Sequence, residues 1–271
     1  MKPKFCSTIA AVIIALLSLN QLAAAQSADD KAAEDKGLAI STERKARDKG
    51  WGSSESDIQM ILRDAQGEEN VRSIRTKALE MEGDGDKSLT IFEQPADVKG
   101  TAFLTFSHIN EPDEQWLYLP AIKRVKRISS NNKDGAFMSS EFAYEDMSSF
   151  ELGKYKFTYL RDETLNGQDC FVVQSVPTDK FSGYAKIVSW IDKQEYRVLK
   201  SEFYDRRRDQ LLKTMTMSEY KQYLGKYWRP LQLDVVNHLT GKSTRLVIND
   251  IKFNTGLDDN DFNKNSLKRA R

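Results

Sequence analysis

Cysteine and histidine are nearly missing from this 271-residue chain, which has two of each. Cys6 lies near the N-terminus and Cys170 stands alone in "DCFVV". No cysteine framework can therefore staple a small core, and a thiol in an apolar strand behaves as a small hydrophobe. His108 and His238 each sit near the end of a strand-like stretch among polar residues, which suits structural roles. The chain contains no CxxC, no HExxH and no aspartate-rich glycine loop to hold a metal. It also lacks a GxSxG elbow for nucleophilic attack and a glycine-rich phosphate cradle. No metal, cofactor or reaction is expected. "SEFAYED" gathers Glu141, Glu145 and Asp146, and paired carboxylates can do acid–base work, but a solvated acidic loop is the better reading of them.

An excess of one charge is lacking too. Lysine and arginine number 41 against 40 acids, which excludes the basic excess of a nucleic-acid binder. The one long apolar run, Ile9 to Leu17, falls short of the ~20 residues a membrane-spanning helix needs. It follows Lys2 and Lys4 and precedes "QLAAAQSADD", where Ala23 and Ala25 form a small-x-small site. That pattern predicts a signal peptide over residues 1–25, cleaved after Ala25. Removal of Lys2 and Lys4 leaves 39 bases against 40 acids, a net charge of −1.

After the leader, "QSADDKAAEDKG" has little to bury, so residues 26–50 are expected to be flexible. In "GWGSSESDIQMILRDAQG", Ser53 or Ser54 can cap a helix, Ile58, Ile61, Leu62 and Ala65 share one helical face, and Gly67 ends it. An amphipathic helix is expected there. From Val71 the period becomes two. "RSIRTKALEMEGDGDKSLTIFEQP" reads strand, turn, strand, and about ten further strand-like stretches follow, with turn chemistry at "NGQ", "DKQE", "DRRRD" and "LTGK". Short strands without alternating helices predict one large antiparallel sheet. Residues 131–153 lack alternation and are expected to form a loop and short helix over that sheet. "WLYL", "CFVV" and "LLKTM" are apolar at consecutive positions, so both faces of the sheet should be covered. A curved sheet enclosing a cavity and a packed sandwich both satisfy that pattern.

Soft and aromatic residues are plentiful: Met138, Met147, Met215 and Met217, with Trp116, Tyr118, Phe137, Phe142, Tyr144, Trp190, Tyr227 and Trp228. Methionine adapts to irregular apolar guests, although each of these residues also suits an ordinary core. "QWLYLPAIKRVKRISS" sets an apolar strand against Lys123, Arg124, Lys126 and Arg127. Its alternation places Trp116 and Tyr118 on one face and Leu117 and Leu119 on the other.

"KGLAISTERKARDKGWGSSESDIQMILRDAQG", "PADVKGTAFLTFSH", "DEQWLYLPAIKRVKRISSNNKDGAFMSSEFAYEDM", "FYDRR" followed by "LLKTMT", and "NHLTGKSTRLVI" resemble the periplasmic LolA-like outer-membrane lipoprotein-sorting proteins. The resemblance runs from Gly37 to Arg271. Its central motif reads F-M-G-S-E/D-F-x-Y-E-D in the family, and Ser139 stands here in the glycine's place. The resemblance implies a mainly β fold over residues 51–271: a strongly curved antiparallel sheet, an unclosed barrel, with the N-terminal helix and the central loop as a lid over an apolar cavity. It further implies a periplasmic carrier, not an enzyme. The cargo would be an acyl chain, lipid or acylated lipoprotein, and an inner-membrane transporter of the resistance-nodulation-division superfamily a partner. On that view Phe103, Trp116, Tyr118, Met138, Phe142, Trp190, Met215, Met217 and Leu246 would line the cavity, and Ile58, Ile61 and Leu62 would form the lid. Lys123, Arg124, Lys126 and Arg127, with Glu141, Tyr144, Glu145 and Asp146, would dock a partner or lipid headgroups. The alternative is an accessory protein of such a transporter or envelope complex, with a filled core.

Overall fold

The period-two stretches form a single 13-stranded antiparallel sheet in the computed structural model, which describes residues 7–265 and 267–269, with side chains for 26–265, 267 and 268. The strands are β1 (Ser53–Arg63), β2 (Glu69–Leu79), β3 (Lys87–Gln94), β4 (Ala102–Phe106), β5 (Glu114–Leu119) and β6 (Arg124–Ile128). They continue with β7 (Tyr155–Leu165), β8 (Gln168–Pro177), β9 (Tyr184–Asp192), β10 (Val198–Asp205), β11 (Leu211–Tyr223), β12 (Tyr227–Asn237) and β13 (Ser243–Phe253). Two meanders, β1 to β6 and β7 to β13, are joined where β1 pairs with β13, which leaves β6 and β7 as the open edges. The chain linking β6 to β7 must therefore travel from one edge of the sheet to the other.

That link shows how strongly the sheet bends. Gln115 on β5 donates to the Tyr144 carbonyl at 2.8 Å, while Lys213 on β11 meets the Asp146 carboxylate at 2.5 Å. Flat, at ~4.8 Å per strand, β5 and β11 would lie more than roughly 30 Å apart, beyond the reach of three residues and two side chains. Register shifts at Asp57/Ile58, Ser73/Ile74, Tyr159/Arg161 and Phe203/Tyr204 supply local bends. One cluster on the concave side gathers Met60, Ile74, Phe92, Phe103, Phe203, Met215 and Val235 with Phe137 and Phe142 from the link.

The expected helix over residues 53–67 is strand β1. A short apolar run fits both periods, and here every second residue, Ile58, Met60 and Leu62, packs into the concave cluster. Ile61 has the opposite parity. Neighbours on both sides decide the matter, since Met60 pairs with Arg72 of β2 and with Leu246 of β13. Ile58, Ile61 and Leu62 thus belong to the sheet and not to a lid. The helix lies earlier: α1 spans Ser7–Arg47 and includes most of the segment expected to be flexible. Its exposed part carries pairs four residues apart, Lys31 with Asp35 and Glu43 with Arg47. Its later turns bury Ile40 among Phe157, Val173, Ile191 and Val198, and Lys45 donates to Glu151 and to the Phe150 carbonyl, both at 2.9 Å. Residues 1–6 of the expected leader, with Lys2 and Lys4, and the side chains through Ala25 lie outside the described residues.

Both faces of the sheet are covered, as the doubly apolar strands require. On the convex side the chain after β13 lays Phe262 and Leu267 against Leu89, Ile91, Leu104 and Trp116. Elsewhere on that side Cys170 packs with Val172, Val188 and Trp190 as a buried free thiol.

Gly37 sets how closely α1 approaches the sheet, because a Cβ there would stand 2.7 Å from the Tyr159 nitrogen and 2.8 Å from the Thr158 carbonyl carbon. Gly37→Ala should push α1 off β7 and cost about 1–3 kcal/mol. Urea unfolding measures the loss, and an unchanged midpoint would contradict this contact.

Candidate functional site

The link between the sheet edges folds into short 3-10 turns at Phe137–Ser139 and Tyr144–Met147, held by a bridge between Ala136 and Ala143. Met138 and Ser139 have φ of 49° and 63°. The position where the resemblance puts glycine is thus left-handed, at a cost of about 1–2 kcal/mol for serine. This geometry drives Phe137 inward onto Phe103 (5.0 Å between ring centroids), Tyr144 (5.8 Å) and Phe92 (6.0 Å). Phe142 is buried beside them, and Met138 and Leu246 pack against the same cluster. This half of the concave face is filled by the protein itself. Phe103, Met138 and Leu246 are therefore core here, not cavity wall, while Phe142, also buried, borders a separate hollow of about 420 Å³ beside the plug.

A polar lock holds the plug down. The Asp146–Lys213 pair is 3% exposed at the lysine and 7% at the acid. Asp146 also accepts from the Tyr184 hydroxyl at 2.8 Å and the Ala143 amide at 2.7 Å, and Lys213 donates to the Glu141 carbonyl at 2.9 Å. Glu145 accepts from the Ser182 hydroxyl (2.7 Å) and the Gly183 amide (2.8 Å). Burial, with some help from Asp146, pushes its carboxyl up to about 7 against those hydrogen bonds. The Glu141 carboxylate accepts from Asn237 at 2.7 Å. Glu141, Tyr144, Glu145 and Asp146, expected as a docking surface, instead bind the plug to the sheet.

Beyond the plug the concave face is open. A chamber of about 500 Å³ lies between the link, the end of α1 and strands β9 to β11. Ile187, Val198, Phe203, Met215 and Met217 form its apolar floor, and the Ser189 and Ser201 hydroxyls bond each other at 2.9 Å within it. The mouth is polar, with exposed Glu111 and Thr178. A second hollow of about 610 Å³ shares Arg44, Ser149, Phe150, Val198 and Met217 with the chamber. Of the nine expected cavity residues, Met215 and Met217 line this chamber. Sequence reasoning missed Val198, Phe203, the serines and Arg44. Cross-strand parity would have found two of them, because Ser201 pairs with Met215 and Phe203 has the same parity.

Trp116, Tyr118 and Trp190 face away from the chamber. Alternation was right on β5, but the tryptophan face is the convex one: Trp116 and Tyr118 pack beneath the C-terminal segment, with Lys264 4.3 Å from the Trp116 ring centre. Trp190 lies in the convex cluster around Cys170 with Lys200 at 4.0 Å. Lys123, Arg124, Lys126 and Arg127 are exposed along and beside edge strand β6, where Arg127 meets Glu114 at 3.1 Å. The histidines have structural partners, His108 with Asp84 at 2.7 Å and His238 with Thr214 at 2.8 Å. Among the described residues, no group of His, Cys, Asp or Glu could hold a metal ion, and no helix is long and apolar enough to cross a membrane.

An open, coiled antiparallel sheet with a plug over half of its concave face and a chamber under the other half defines the LolA-like class of fold. A family model described as "Uncharacterized protein" matches residues 84–269. A crystal structure described as an outer-membrane lipoprotein-sorting protein domain, from Vibrio parahaemolyticus, is 62% identical with a TM-score of 0.86, covering 87% of this chain and 100% of that one. A DUF1329 family protein from Desulfovibrio piger is 27% identical with a TM-score of 0.82, covering 87% and 99%. A LolA superfamily protein from Nitrosomonas europaea, 21% identical over 88% and 98% of the two chains, shares the fold at a TM-score of 0.64. No curated protein matches the chain. The chain belongs to the DUF1329 family and has a LolA-like fold.

Two measurements probe the lock. Lys213→Met strands the buried Asp146 carboxylate and should cost about 3–5 kcal/mol in urea unfolding; a loss below about 1 kcal/mol would mean that the pair does not anchor the plug. Because the folded Glu145 carboxyl titrates at about 7 against an ordinary 4.5, the folded state binds more protons than the unfolded state between those values. Stability from this group falls as pH rises through that window and is fully lost above it. Relative to Glu145→Gln, the wild-type urea midpoint should therefore drop between pH 5 and pH 8. Parallel profiles would show that Glu145 is not buried as described.

Proposed function

We propose that this chain is an exported periplasmic carrier that takes an acyl chain, as free lipid or as the anchor of a lipoprotein, into its concave chamber and hands it on between envelope partners. The observation that carries this reading is the unfilled apolar floor of Val198, Phe203, Met215 and Met217 beside a plug that fills the rest of the sheet. A volume of about 500 Å³ falls within the ~300–1,000 Å³ of ordinary ligand pockets, and each buried methylene contributes about 0.8 kcal/mol without any specific polar contact. The chamber suits a tail and not a protein body, so a lipoprotein would insert only its acyl chain. The leader-like residues 1–25, cut after Ala25, support export. The relative described as lipoprotein-sorting supports the carrier role. The exposed Lys123, Arg124 and Lys126 on and beside β6 would meet anionic headgroups or an acidic partner such as an inner-membrane transporter.

Mass spectrometry of protein purified gently from its host envelope should find lipid bound at one per chain. Replacing Met215 and Met217 with glutamate should weaken uptake of a fluorescent fatty acid at least tenfold. Uptake unaffected by these changes, or a wild-type chain that neither carries nor takes up lipid, would leave an accessory protein in place of a carrier.

A further inference from the structure

Arg44 is an interior cation with no carboxylate in ion-pair contact among the described residues. It stands near the end of α1, half-buried, where the chamber meets the second hollow, and it lines both. The other arginines of that hollow are paired: Arg47 with Glu43 at 2.7 Å, Arg197 with Asp192 at 2.8 Å and Arg229 with Asp48 at 2.5 Å. Lys45 holds Glu151 at 2.9 Å. Among the described residues Arg44 has neither a carboxylate nor a hydrogen-bond partner. Its guanidinium lies 4.2 Å from the Phe150 ring centre, so the aromatic covers one face and the N–H groups around the rim stay free. Burial draws its pKa below the ordinary value, against the pull of Tyr220, Asp48 and Tyr155. The surrounding hollow carries Lys45, Arg47, Arg197, Lys226 and Arg229 besides Arg44, against Asp48, Asp86 and Glu195. Glu43, Glu151 and Asp192 neutralise Arg47, Lys45 and Arg197, so the attraction for an anion there rests on the Arg44 guanidinium itself.

We propose that Arg44 receives the anionic head, a carboxylate or a phosphate, of a single-chain amphiphile whose tail crosses Val198 and Met217 to reach Met215 and Phe203. This rests on the carrier reading and adds the chemistry of the cargo's head. A planar guanidinium matches the paired oxygens of carboxylate and phosphate alike. An anion there would give a guanidinium that has no hydrogen-bond partner of its own charge-assisted bonds in a partly desolvated site. The position is also right for an amphiphile, because Phe150, Val198 and Met217, which with Ser149 line both spaces, are apolar, and the Phe150 ring lies against the guanidinium. The head meets charge at the junction while the tail continues over carbon.

The test compares three ligands with one tail, myristate, myristyl phosphate and myristyl alcohol, by displacement of a neutral fluorescent lipid from the full chain. The wild type should hold at least one anion about tenfold or more tighter than the alcohol, and the tighter anion tells a fatty-acid head from a lipid phosphate. Arg44→Gln should abolish that preference while keeping alcohol affinity within about twofold, and Arg44→Lys should keep part of it. Equal binding of all three to the wild type, or a preference that survives Arg44→Gln, overturns the head site and leaves the carrier reading intact. Binding of none overturns both. If Arg44→Gln fails to fold, the wild-type comparison and Arg44→Lys decide.

Discussion

The fold depends on one topological constraint: the chain must pass from one open edge of a bent sheet to the other. Because β1 and β13 are neighbours, the edges are the middle strands of the chain, β6 and β7. Their connection cannot wander through solvent without leaving a broad apolar concavity wet. It crosses the concavity instead, and the buried Asp146–Lys213 pair with its Tyr184, Ala143 and Glu141 contacts fixes where it crosses. A buried ion pair contributes less to net stability than to selecting one arrangement, since its desolvation offsets much of its attraction. Here it specifies which half of the interior is plugged and which is left as space.

The two edges are managed differently. β6 bears Arg124, Lys126 and Arg127 in an exposed row, and charge along an edge discourages pairing with another chain. β7 has α1 laid against its backbone, close enough that only a residue without a side chain fits at Gly37. The basic cluster beside an apolar strand, which suggested a docking rim, is explained first by this need. Its use by a partner would be an added role.

Most of the sheet could be read from the chain because its strand-like stretches are short, rich in β-branched and aromatic residues, and separated by turn-forming residues. β1 could not, since Ile58, Ile61 and Leu62 satisfy a helical period while Ile58, Met60 and Leu62 satisfy a strand period, and only its neighbours β2 and β13 resolve the choice. α1 was missed for the opposite reason: its visible signal is polar, and what docks it is tertiary contact at Gly37, Ile40 and Lys45. At the site, residue type was a weaker guide than parity. Large aromatics drew attention to Trp116, Tyr118 and Trp190, yet all three face the convex side, the first two beneath a C-terminal segment with no periodicity to announce it and Trp190 in the cluster around Cys170. Met215 and Met217 were legible because they lie two apart on a strand whose other inward residue, Lys213, serves the lock. The charged motif of residues 141–146 was recognisable as special, but its inward orientation was not, because sequence does not show that its counter-charge lies on β11.

The pairing of β1 with β13 also governs how such a chain can assemble. The first meander can form hairpins early, but its innermost strand keeps one side unpaired until nearly the whole polypeptide has emerged, and contacts between such distant segments form slowly. A bare strand carrying Ile58, Met60 and Leu62 invites association with other chains while it waits. Any route that delivers this polypeptide gradually, N-terminus first, has to shield that strand until the last one arrives.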